Sequence, residues 1–172
     1  MLMQLVKLSI PYSFIASRVD VTWSLLKFGL ENELVEPYAV VEATEIAIQT
    51  SEVSGPLLSL IGAHSEEVAA LVSKLAKEEP TQQVERVWLF LVLAWIYHNK
   101  TDNSDALESV ERVYAEFEYP EEIASFVRYM PKQGPDLASR SASEERLLLR
   151  WTEYLEVESA RFRKKETKAS LF

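Results

Sequence analysis

His64 and His98 are the only imidazoles in this 172-residue chain, and cysteine is absent. The missing thiols remove disulfides, thiolate zinc sites, iron–sulfur clusters and a cysteine nucleophile together. His64 and Glu67 stand three apart, a helical spacing that can turn an imidazole and a carboxylate toward one metal ion. His64, however, precedes Ser65, which reads as the cap of the following helix, so helical register between the two is not secured. No HExxH occurs, nor the second carboxylate–histidine pair that di-iron bundles carry. His98 falls in the last turn of an apolar helix, where the dipole favours a cation. These spacings predict no metal site and no cofactor.

Nucleophilic and acid–base chemistry find no better footing. Serines are frequent, but without a G-x-S-x-G elbow. The glycines, at 29, 55, 62 and 134, form neither a phosphate-cradling loop nor a dinucleotide fingerprint. Four carboxylate pairs occur: Glu66-Glu67, Glu78-Glu79, Glu121-Glu122 and Glu144-Glu145. Three of them stand near expected helix starts, where the dipole accounts for them, and Glu78-Glu79 reads as a solvated end. None reads as the acid and base of a cleft. The expectation is a protein that is not an enzyme.

Charge is more informative. The chain carries 18 Lys plus Arg against 27 Asp plus Glu, a net −9 with a pI near 4.8. Such acidity argues against nucleic acid or an anionic membrane as partner. Residues 1–160 hold 13 bases and 26 acids, whereas 161–172 hold five bases and one acid. The basic tail suits the fraying C-terminus of a helix. Between Asp102 and Glu122 stand eight carboxylates and a single base, Arg112. On a helix from Asp105 to Phe117, an apolar stripe at Leu107, Val110, Tyr114 and Phe117 leaves Glu108, Glu111 and Glu116 outward. Glu108 and Arg112 have ion-pair spacing, and the other carboxylates have no local partner. One role for this face is solubility. The sharper one is electrostatic docking of a basic protein by Asp105, Glu108, Glu111, Glu116, Glu118, Glu121 and Glu122, with Tyr119 as an aromatic anchor.

The elements that must position these residues are helices. Seven prolines fall between periodic segments, not within them. With only four glycines, the chain lacks the turn residues of a sandwich or barrel. Helices are expected from Thr22 to Glu33, from Pro37 to Gln49, from a cap at Ser65, and from a cap at Thr81 to His98. Others follow from the capping boxes Asp105-x-x-Glu108 and Ser141-x-x-Glu144, with short turns after Gly55-Pro56 and Pro120. Gly29 costs up to about 1 kcal/mol inside a helix and so marks close packing against a neighbour. The apolar run Val87 to Tyr97 would span roughly 16 Å as a helix, about half a bilayer core. It reads as the buried centre of a bundle. All four tryptophans fall on apolar faces, and Leu2 to Ile10 reads as weakly extended. The fold expected is all-α: one domain, a bundle of about seven helices around an apolar central helix at about 82–98. The start of the chain lacks a signal-peptide pattern, which gives cytoplasm as the default location.

Val21-Thr-Trp-Ser-Leu-Leu-Lys-Phe-Gly-Leu30, the stretch Tyr114 to Pro131 and the closing Trp151-Thr-Glu-Tyr-Leu-Glu156 resemble a family of small bacterial all-helical proteins of unknown function. Some members of that family are suspected toxin immunity proteins. The resemblance transfers no functional residues and implies a toxin domain as protein partner, which the acidic face at residues 102–122 would require to be basic. Two other readings stay open: a structural or regulatory adaptor that binds a cellular protein or itself, and an enzyme with an unrecognised helical site.

Overall fold

The computed structural model describes residues 8–50, 55–101, 105–130 and 140–162. Among them lie eight α-helices, one 3-10 helix and no strand. The α-helices are α1 (Tyr12–Ala16), α2 (Trp23–Glu31), α3 (Pro37–Thr50), α4 (Gly55–Ser59), α5 (Ser65–Leu75), α6 (Thr81–His98), α7 (Ala106–Glu116) and α8 (Arg140–Phe162). The 3-10 helix, Glu121–Phe126, lies between α7 and α8. The all-α bundle around an apolar central helix is therefore the fold. It has one more helix at its start than periodicity indicated, because α1 is too short to show a repeat.

The central helix is α6. Nine of its residues are buried, including an unbroken run from Trp88 to Ala94. A helix apolar on nearly all sides needs cover on all sides, and α2, α7 and α8 all pack against it. Among the described residues no helix is long and apolar enough to cross a membrane. On the outer side α5 packs against α2, α3 and α4, and α1 against α3. One core runs through these elements, with Trp88, Phe90, Phe126 and Trp151 its largest members.

Helix starts mostly follow the expected chemistry, shifted at places by one residue. Thr22 caps α2, its hydroxyl accepting the Leu25 N–H at 3.1 Å. Asp105 caps α7 through the Glu108 N–H at 2.9 Å. Ser65 and Thr81 are not caps but first helical residues; His64 and Pro80 occupy the cap positions. Glu67 reaches back to accept the His64 N–H at 3.3 Å. Ser141 also lies inside its helix, where its hydroxyl meets Glu145 Oε1 at 3.4 Å. Glu144-Glu145 therefore sits beyond the first turn. Most of the segment expected to be extended, Leu2 to Ile10, lies outside the described residues, as do residues 163–172 of the basic tail and 131–139 of the loop before α8.

Gly29 packs where its helix meets α6. A Cβ there would overlap Cζ2 of Trp88 and lie 2.9 Å from Cη2 and 3.1 Å from Val35 Cγ2. The indole is fully buried and its Nε1 donates to the Leu25 carbonyl at 2.9 Å, so it has nowhere to retreat. Gly29→Ala should therefore destabilise the fold by about 1–3 kcal/mol despite the better helix propensity of alanine. Urea unfolding checks this, and an unchanged or raised midpoint would contradict the close approach.

Candidate functional site

The carboxylates of residues 105–122 do not form one surface. Asp105 is bound twice, its Oδ1 capping α7 and its Oδ2 accepting from Arg128 Nη1 at 2.8 Å. Glu111, two turns along, accepts from Arg128 Nε at 2.6 Å. Arg128 returns to α7 from the turn after the 3-10 helix, so the cation that partners these acids is far along the chain from them. Glu108 pairs with Arg112 at 2.6 Å on the exposed face, as their spacing predicts. Glu116, expected to face outward, is only 6% exposed. The C-terminal ends of α2 and α7 and the start of α6 line one cavity, and Glu116 is part of its wall. The expectation that Glu108, Glu111 and Glu116 all face outward, with Glu111 lacking a partner, is thus corrected. Only Glu108 stands well out; Glu111 is tied down and Glu116 is covered.

Past Glu116 the chain reverses sharply. Glu118 N–H bonds to the Ala115 carbonyl at 3.3 Å and Tyr119 N–H to the Tyr114 carbonyl at 2.8 Å. This is the Schellman pattern, with Glu118 at the left-handed position where glycine is usual. Glu118 has φ 60° and Tyr119 φ 63°. The turn holds Tyr119 62% exposed, its ring edge-on to buried Tyr114 at 5.3 Å. Tyr129, also exposed, tilts against the same Tyr114 ring. Glu121 and Glu122 follow on the first turn of the 3-10 helix and are exposed. Tyr119 is therefore the exposed aromatic among Glu118, Glu121 and Glu122. Tyr129 joins it from a position that spacing did not single out.

Burial and pairing set the protonation of this edge. The Glu108 N–H, and behind it the Arg128 guanidinium, hold the Asp105 carboxyl below the usual aspartate range. The hydrogen bond to Glu111 holds the Arg128 guanidinium up.

Sequence reasoning missed a second charged cluster. Glu158 is 2% exposed, and Arg86 grips it in a two-point fork, Nε to Oε2 at 3.1 Å and Nη2 to Oε1 at 3.0 Å. Arg161, one turn on, adds a contact to Oε1 at 3.0 Å. Partly buried Tyr154 lies nearby, its covered hydroxyl without a hydrogen-bond partner among the described residues. Burial first, and Glu158 second, push that phenol well above its ordinary range. One signal was available: helical spacing puts Leu148, Trp151, Leu155 and Phe162 on one face of the last helix, and Glu158 falls on that face as its one acid.

His64 and His98 do not meet in a site. His64 is an exposed cap residue. His98 ends α6, its ring against Phe14 and Trp95. Among the described residues no group of three His, Asp or Glu side chains is placed to hold a metal ion.

Fold and site together define an all-α bundle with a carboxylate-rich edge around the end of α7. The chain belongs to the family described as uncharacterized protein conserved in bacteria (DUF2247), whose model matches residues 12–159. Among curated proteins and among solved structures, none matches it.

Two outcomes follow from these contacts. Removing Arg86 leaves a buried carboxylate short of charge, whereas removing Glu158 frees two arginines that are each more than a third exposed. Arg86→Met should therefore cost about 3 kcal/mol, and Glu158→Gln nearer about 1 kcal/mol. Chemical unfolding that gives the opposite order would contradict the burial. The depressed Asp105 adds stability that is present above its unfolded pKa and lost as pH falls through its lower folded one. Asp105→Asn keeps the cap acceptor but should flatten the loss of stability below about pH 4 in denaturant titrations.

Proposed function

We propose that this chain is a non-catalytic cytoplasmic protein that neutralises a basic toxin domain by binding it. The binding edge is the turn after α7. The observation that carries this reading is Tyr119, held 62% exposed by left-handed backbone at residues 118 and 119 and flanked by exposed Glu118, Glu121 and Glu122. An exposed aromatic amid like charges suits a partner that supplies cations, with the ring as anchor and the carboxylates steering the approach. Asp105 and Glu111 then act as supports, because Arg128 already engages them. Glu108 adds to the field from the exposed side of α7. The resemblance to suspected immunity proteins supports the toxin class of partner.

Leu58 and Ile61, both more than half exposed, favour a second reading as an adaptor or self-associating protein. A dimer in sedimentation that is indifferent to salt would support that alternative.

The test begins with capture of the partner from the native host with its neighbouring genes expressed, followed by stopped-flow association. Reversing Glu118, Glu121 and Glu122 to lysine should slow association about tenfold at low salt and flatten its salt dependence. Tyr119→Ala should chiefly raise the dissociation rate. Unchanged rates in both variants would sink this surface.

A further inference from the structure

The outer edge described above shares Glu118 and Glu122 with a cavity beside it. This cavity, about 490 Å³, opens between the last turns of α2 and α7 and the first turn of α6. Five carboxylates line it: Glu31 from α2, Glu85 from α6, and Glu116, Glu118 and Glu122 from α7 and the turn beyond. The lining arginine, Arg86, has its Nε and Nη2 committed to Glu158.

Two independent features point to a missing cation. Asn32 lines the wall at 4% exposure; its Nδ2 donates to the Phe28 carbonyl, while its Oδ1 is buried without a donor among the described residues. A buried acceptor left unmatched costs about 1–3 kcal/mol. In addition, α2 and α7 both bring their negative dipole ends to this place, against the single positive end of α6. Their last turns carry Glu31 and Glu116 and no base. Acids at helix C-termini oppose the dipole. Lys27 pairs with Glu31 at 3.8 Å on the surface.

We infer that this cavity receives an arginine side chain of the protein partner, an assignment that rests on the protein-binding reading above. Its lining supplies acceptors from three elements, which suit the five fixed donors of a guanidinium better than a compact ammonium. Phe28 and Phe117 also line it, aromatic neighbours of the kind that favour a planar cation.

The probe is Nα-acetyl-L-argininamide, titrated at low salt into the full chain while the side-chain amide resonances of Asn32 and Gln82 are followed by NMR. The neutral isostere Nα-acetyl-L-citrullinamide is the control. Saturable shifts at both amides with the arginine probe alone are expected. Glu85→Gln, at an exposed position outside residues 102–122, should weaken them about fivefold. Equal shifts with citrullinamide, silent cavity amides, or an equal response to Nα-acetyl-L-lysinamide would each overturn the assignment. A silent cavity with partner association still sensitive to reversal at Glu118, Glu121 and Glu122 would overturn the arginine site and leave the binding reading standing. Because Glu118 and Glu122 belong to both the cavity and the outer surface, association indifferent to that reversal would overturn the partner's arginine in the cavity together with that surface.

Discussion

The Trp88 indole lies in the space a Cβ at residue 29 would take, with its N–H on the Leu25 carbonyl one turn earlier in α2. From this seat the neighbouring structure follows in sequence. The Gly29 carbonyl accepts Leu34 N–H at 2.8 Å as α2 ends, and the Leu34 carbonyl accepts Ile10 N–H at 2.9 Å. The N-terminal segment thus docks onto the end of a helix whose position Trp88 sets. With α2 held against one side, α6 presents its remaining apolar surface to α7 and α8. Arg86, two residues before Trp88, fixes α8 against the start of α6 through Glu158.

The acidic edge is built from the same helix ends. Both α2 and α7 close in Schellman patterns, and both place a glutamate, Glu33 or Glu118, at the left-handed position. Left-handed backbone at a residue with a Cβ costs roughly 1 kcal/mol or more. Two helices therefore end with strained acids and with carboxylates set against their own dipoles. Burial explains neither feature at Glu118, which is exposed. The acids nearer the start of α7 differ, since Arg128 binds both Asp105 and Glu111. A single acidic stretch thus divides into a part held by Arg128 and an exposed part at Glu118, Glu121 and Glu122.

Local chemistry was legible where neighbours in sequence supply the partners. Thr22, Asp105 and the Glu108–Arg112 pair could be read directly, since a cap or an i,i+4 pair is complete within one turn. Gly29 could be read as a close approach, because a glycine inside a helix needs a reason, although the indole that meets it could not be named. Caps at Ser65, Thr81 and Ser141 were misplaced because neighbouring residues are also able to start a helix. Glu116 was misread because helical spacing describes one helix face, whereas α2 and α6 cover the side on which Glu116 lies.

The amino-acid sequence by itself determined the helices, the apolar α6 at their centre and the concentration of acid after residue 102. Periodicity, proline placement and charge are properties of short stretches, and a short stretch contains all that decides them. Only the tertiary structure decided which carboxylates are neutralised, which are buried and which remain. Arg128 meets Asp105 across 23 residues and Arg86 meets Glu158 across 72, distances over which spacing carries no information. The fate of each charge depends on what the packed helices bring beside it.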